Sequence, residues 1–253
     1  MTIINQDIFK DINNNLQDLT SIIDLSKKIT DQDVVKIYSK AKSFISKDII
    51  DLNYKKDQIY RRNTIDLNCE RHKKIFNRFN VIPKFCFGCF KVVIYMENIM
   101  DLIKLSIIFD KYNPLDHVDR KCMINYSDKT NRGYIYCSSI KQCQEIAKKM
   151  DFIIKKNIGT NFNLETKRGC SEYSIPFPNY KEIKEDESLM MQYPKEWKIA
   201  EDVSDQQNFK DGVPIKRNKR KSTNGFTLSD FLIINKWIMY SKEIDDFSVK
   251  DII

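Results

Sequence analysis

Glycine and proline are scarce in this chain, six of each, and histidine is scarcer still, with two among 253 residues. The glycines fall in no phosphate-cradling pattern: G-x-G-x-x-G and G-x4-G-K-[ST] are both missing, so neither a dinucleotide site nor a nucleoside-triphosphate loop is announced. H-E-x-x-H and G-x-S-x-G are missing too, which leaves the chain with no recognisable catalytic motif. A histidine-based active site is poorly supplied, because only His72 and His117 carry an imidazole. His117 stands in D-H-V-D, where Asp116, His117 and Asp119 offer a hard-metal set, the plainer alternative being a surface histidine. No apolar run approaches the roughly 18 residues that span a bilayer, and M-T-I-I-N-Q-D lacks a basic region followed by an apolar core. We therefore expect no membrane partner and a cytoplasmic location, or a nuclear or viral one if the host is eukaryotic.

What is present points to an intracellular globular protein. A hydrophobic fraction of 42% over this length can bury a sizeable core, in one large or two small domains. The net charge of +8 favours an anionic partner, although Ile, Lys, Asn and Asp dominate throughout, so compositional bias accounts for it equally well. Seven cysteines without an export signal suit reduced thiols or metal ligands better than a disulfide framework.

The most ordered stretch runs from Pro83 to Pro114. Lys91 to Met96 is a β-branched and aromatic run of strand length. Asn98 offers a cap for the helix that follows, and Ile99, Leu102, Ile103, Leu105, Ile107 and Phe109 make that helix apolar over more than one stripe. Further strands are expected over 121–126 and 133–138, joined as a hairpin, and an extended segment over 161–175. Between the last two lies a helix begun by Ser139, with Gln142 completing a capping box and Cys143, Ile146, Ala147 and Met150 on one face. Strand, helix, strand, strand, helix, strand is the order of a ferredoxin-like βαββαβ core with strands in the order 4-1-3-2.

Before this core, Ile8, Ile12, Leu16, Leu19 and Ile23 share a helix face. A second helix follows a Thr30–Asp33 capping pair and carries Val34, Ile37, Tyr38, Ala41 and Ile45. This helical hairpin either packs on the rest of the chain or meets a helical protein partner through residues 8–45. After Pro176 apolar residues thin out, an acidic stretch precedes the basic run Lys216, Arg217, Lys219, Arg220 and Lys221, and Thr227 or Ser229 caps a last apolar helix. The expected organisation is an α+β protein: an N-terminal helical region (1–82), a ferredoxin-like core (83–178), and an acidic-then-basic linker with a C-terminal helix (179–253).

The strand order gathers thiols at one end of the sheet. Cys86 and Cys89 precede the first strand, Cys122 opens the second, Cys137 closes the third and Cys170 lies late in the fourth, within R-G-C-S-E-Y. A C-x2-C knuckle with a glycine inside lets two sulfurs reach one tetrahedral ion. Cys86, Cys89, Cys170 and Cys122 form the expected metal set, with Cys137 as an alternate and Cys69, His72, Cys86 and Cys89 as an alternative quartet. Zinc suits these donors, ahead of an iron–sulfur cluster, whose dense cysteine run is lacking. Plain core packing is the competing reading, since cysteine is among the most buried residue types.

A second site lies on the sheet face. Ile94-Tyr-Met-Glu-Asn-Ile99 resembles the shorter signature of RNA recognition motifs, and Arg132-Gly-Tyr-Ile-Tyr-Cys-Ser resembles part of the longer one. The resemblance implies a stacking platform of Tyr95, Tyr134 and Tyr136, with Arg132 beside it. The alternative is a tyrosine face covered by the N-terminal helices. The basic run supplies five positive charges in six residues, a density suited to nucleic acid or another anionic polymer, or to a solvated linker. Three functions therefore stand open: a nucleic-acid-associated binding protein, with RNA the leading partner; a metal- or thiol-dependent protein; and a structural or assembly component of a viral particle or large complex.

Overall fold

Four helices of this chain begin where a side chain replaces a missing partner of the first turn. Thr30, Asn98, Ser139 and Thr227 each accept from the backbone N–H three residues on, a cap worth about 1 kcal/mol over alanine. Thr30 with Asp33 and Thr227 with Asp230 close reciprocal capping boxes. Gln142 reaches back one residue further than expected, its Oε1 accepting from the Ser138 N–H at 2.8 Å.

The computed structural model describes residues 6–50, 54–61, 67–112, 115, 118, 120–127, 130–207 and 224–252. In chain order the elements are α1 Gln6–Gln17, α2 Asp31–Ser43, α3 Lys47–Ile50, β1 Gln58–Arg61, α4 Cys69–Phe79, α5 Lys84–Phe87, β2 Phe90–Met96, α6 Ile99–Lys111, β3 Cys122–Ser127, β4 Thr130–Cys137, α7 Ile140–Asn157, β5 Phe162–Arg168, α8 Lys198–Gln207 and α9 Leu228–Ser241. The basic run from Lys216 to Lys221, and Asp116, His117 and Asp119, lie outside the described residues.

The strands make one antiparallel sheet in the order β1-β3-β4-β2-β5. Phe90 sits opposite Cys137 on one side and Arg168 on the other, and Cys122 opposite Ile135, which fixes the register. Strand β1 at the edge has no counterpart in the sequence reading. The extended segment expected to reach Ile175 ends at Arg168, where Gly169 departs and a 3-10 turn forms over Ser171–Ser174.

Helix α6 packs across β1 to β4 and α7 across β2, β4 and β5. The apolar girth of α6 has its reason in this position: Ile99, Leu102, Leu105, Ile108 and Phe109 are fully buried, because α2 and α9 cover the side turned away from the sheet. Each such side chain contributes about 1.5–3 kcal/mol. The contact is so close that a Cβ on Gly133 of β4 would lie 2.7 Å from Leu105 Cδ2. One core cluster runs from Ile12 to Ile252 and takes in the sheet, the N-terminal helices and α9. Leu16, Val34, Ile37 and Ala41 are buried in it, so the face expected to meet a helical protein partner is covered by the chain's own core. The side chain of Ile8 lies outside the described residues.

The segment after Pro176, expected to lose order, forms short helical turns and α8 up to residue 207 and joins α4, α5 and the turn at Ser171–Ser174 in a second core. Ile82, Cys86, Tyr173 and Tyr180 are buried there against Phe76, Phe87, Phe177 and Trp197. Its order comes from ring packing along 3-10 turns, which leaves no helical or strand period to read. Arg71 then ties α4 to α8, with Glu201 at 3.0 Å and Asp205 at 2.5 Å. Among the described residues no helix is long and apolar enough to cross a membrane.

Candidate functional site

Side chains alternate across a strand, so the sheet has two unlike faces. Phe90, Val92, Ile94 and Met96 of β2 point to the helices, and Lys91, Val93 and Tyr95 point the other way. Their partners on β4 follow: Tyr136 opposite Lys91, Tyr134 opposite Val93, Arg132 opposite Tyr95. Strand β5 adds Asn163, Glu165 and Lys167 to the same face. Tyr95, Tyr134 and Tyr136 are half-buried, and the apolar Val93 and Met123 between and beside them are 2% and 8% exposed. The N-terminal helices rest on α6 and α9, on the opposite side, and do not form the cover that the alternative reading required.

Each of these three tyrosine rings carries a cation. Arg132 lies 5.0 Å from the Tyr95 ring centre and Lys167 5.8 Å from it, Lys91 is 5.6 Å from Tyr134, and Lys121 is 4.7 Å from Tyr136. Against these four cations the strands set one acid, Glu165, which pairs with Lys167 at 2.5 Å and accepts from the Tyr95 hydroxyl. Burial would raise the Glu165 carboxyl, but these hydrogen bonds outweigh it and hold the group below the usual carboxylate value. Burial pushes the Tyr95 and Tyr136 phenols up, so both stay neutral. Arg132 Nε is buried without a hydrogen-bond partner. The face thus offers flat rings, unspent donors and a net positive charge.

Where β2 begins and β5 ends, the face runs into a cavity of about 190 Å³. Cys69 and His72 reach it from the first turn of α4, Cys86 from α5, Cys89 from the residue before β2, and Cys170 from beyond β5, with Lys91, Lys121, Tyr136 and Glu172 completing the wall. Two loops meet there because Gly169 donates to the Cys89 carbonyl at 2.7 Å. The Cys86 and Cys170 thiols are hydrogen-bonded to one another. That bond and burial push Cys86 up, while the same bond, helped by Lys91 and Lys121, holds Cys170 below the ordinary thiol value. Burial raises Cys89 to about 11, with Arg120 opposing. Burial also lowers the Lys91 ammonium, against the pull of Cys170 and Glu172.

The expected metal set is therefore divided. Cys86, Cys89 and Cys170 are brought together, along with Cys69 and His72 of the alternative quartet. Cys122 and Cys137 share the same end of the sheet but point to its helix-covered face, into the main core, where Cys137 is hydrogen-bonded to Cys143. Among the described residues no group of three or more His, Cys, Asp or Glu side chains is already arranged to hold a metal ion. Lys91, Lys121 and Lys167 were missed by sequence reasoning; Lys91 stands four residues before Tyr95 in a strand, a spacing that does place both on one face.

Comparison with family models, with curated proteins and with solved structures gives no match. The site is read on its own geometry.

Proposed function

We propose that this chain binds single-stranded nucleic acid, RNA foremost, on the open face of a ferredoxin-like unit formed by β2 to β5 and extended at its edge by β1. The observation that carries the reading is the set of half-buried tyrosines, Tyr95, Tyr134 and Tyr136, each with a lysine or arginine over its ring. Aromatic rings accept bases by stacking whatever the sequence, and neighbouring cations follow the phosphates. Tyr95 and Tyr134 are diagonal neighbours across β2 and β4, about 7–8 Å apart by sheet geometry, so two bases can be held side by side. A base that stacks on Tyr95 displaces Arg132, whose guanidinium is then free to take a phosphate.

Fluorescence anisotropy with a labelled single-stranded RNA, its DNA equivalent and a duplex tests this. Tyr95→Ala and Tyr134→Ala are each expected to weaken single-strand binding by about 5- to 150-fold, the equivalent of roughly 1–3 kcal/mol per stacked base. Far-UV circular dichroism checks that the variants fold. No binding by the parent at low salt, or unchanged binding by the double variant, refutes the proposal.

A further inference from the structure

We propose that the cavity at the end of the open face is a zinc site, in which Cys86, Cys89 and Cys170 supply three ligands and Cys69 or His72, from the first turn of α4, the fourth. This inference is independent of the nucleic-acid reading. It begins with the donors. The chain has seven cysteines and two histidines, and five of these side chains line one cavity although they come from three separate segments. The remaining described thiols, Cys122, Cys137 and Cys143, lie in the main core on the other face.

The surrounding charges fit a metal–thiolate centre. A zinc ion with three thiolates and an imidazole carries a net charge of −1, and with four thiolates −2. Lys91, 7% exposed, and Lys121 line the cavity, and Arg120, with Nη1 buried and unpartnered, reaches Cys89. These cations face only one carboxylate, Glu172, in the cavity wall. An anionic centre offsets their burial, which is otherwise costly.

Gly169 is shaped for the same purpose. A Cβ there would stand 2.6 Å from Cys89 Sγ, 3.1 Å from Cys89 Cβ and 3.2 Å from its carbonyl oxygen. Only glycine lets the end of β5 come close enough to the C-x2-C knuckle for Cys170 to contact Cys86. Binding draws donors that are near one another, but not yet arranged around a point, to Zn–S distances of about 2.3 Å. The thiol protons leave to solvent as the thiolates bind.

The test uses the full chain purified under reducing conditions. Elemental analysis is expected to give one zinc per chain. Cobalt(II) added to metal-stripped protein is expected to give a thiolate charge-transfer band and the intense visible bands of tetrahedral coordination, both removed by one equivalent of zinc. Cys86→Ser, Cys89→Ser and Cys170→Ser should each weaken zinc binding by more than the 10- to 100-fold typical of residues behind the ligands. Cys143→Ala, on the other sheet face, should leave it unchanged. Loss with Cys69→Ser or with His72→Gln identifies the fourth ligand; loss with neither overturns the assignment. A folded parent that takes up neither ion, or equal uptake by the triple variant Cys86→Ser/Cys89→Ser/Cys170→Ser, overturns the site.

Discussion

Arg61 Nη2 stands 3.0 Å from Asp230 Oδ2, an ion pair between residues 169 positions apart whose side chains are 3% and 5% exposed. Asp110 approaches the same guanidinium at 3.4 Å and also accepts from the Thr20 hydroxyl at 3.1 Å and the Gly225 N–H at 2.8 Å. Asp230 is at once the reach-back residue of the α9 capping box. One buried cation therefore joins β1 to the end of α6 and the start of α9.

Removing that cation leaves two buried carboxylates facing each other. Arg61→Met is expected to cost about 3–5 kcal/mol, the range for breaking a buried pair from one side. The measurement is the urea midpoint at unchanged slope. The double variant Arg61→Met/Asp230→Leu should recover part of the loss, since it removes a stranded charge as well as a partner. A loss under 1 kcal/mol for Arg61→Met would show that the triad does not hold β1 in place.

Gly133 gives a second stability prediction. Its missing side chain is where Leu105 and Phe109 of α6 press on β4, at 2.7 Å and 3.1 Å from the position a Cβ would take. Gly133→Ala should cost about 1–3 kcal/mol by overpacking. Leu105→Ala in the same chain should absorb part of that cost, so the two changes are expected to be non-additive. Additive losses would mean that the strand conformation, and not the contact with α6, requires glycine.

The elements that were legible are those whose signal is local. Thr30, Asn98, Ser139 and Thr227 mark helix starts because a cap is a matter of three residues, and the strands at β2, β3 and β4 show because branched and aromatic residues run together. Strand β1 has four residues and a buried arginine, so its hydrophobic pattern says nothing. It is a strand because it pairs with β3 and because Asp230, far along the chain, neutralises Arg61. The thiols were half legible. Strand order predicts which end of the sheet they reach, but the face is set by alternation: Tyr136 and Cys137 are neighbours, so if the tyrosine lies on the open face the cysteine must enter the core. The second core was illegible, since Phe87, Tyr173, Tyr180 and Trp197 meet from a four-residue helix and 3-10 turns too short to show a period.

On the open face, Arg132 separates charge from shape. Arg132→Lys keeps the charge but loses the planar stack over Tyr95 and the bidentate fork. It should weaken single-strand binding while leaving the slope of log affinity against log salt unchanged. Arg132→Gln should weaken binding and also lower the magnitude of that slope by about 0.7, the contribution of one phosphate on a single strand. Equal slopes for the two variants would place Arg132 off the phosphate path and leave it as a partner of Tyr95 alone.

The basic run Lys216, Arg217, Lys219, Arg220 and Lys221 gives the last prediction, which rests on sequence. Five charges in six residues repel one another, which favours pairing with an anionic polymer. If all five meet phosphates, the segment contributes roughly −3.5 to the salt slope on a single strand, at about −0.7 per phosphate, and roughly −4.5 on a duplex, at about −0.9. Replacing all five by serine touches no apolar residue, so the melting temperature should not move. Binding by the parent and the variant at several salt concentrations then distinguishes two arrangements. If the variant loses slope but keeps its sensitivity to Tyr95→Ala and Tyr134→Ala, the run steers nucleic acid to a face that grips it independently. If it loses slope and the tyrosine effects vanish as well, the run is required for the face to engage. An unchanged slope reduces the segment to a solvated linker, and the sheet face must then account for the whole affinity.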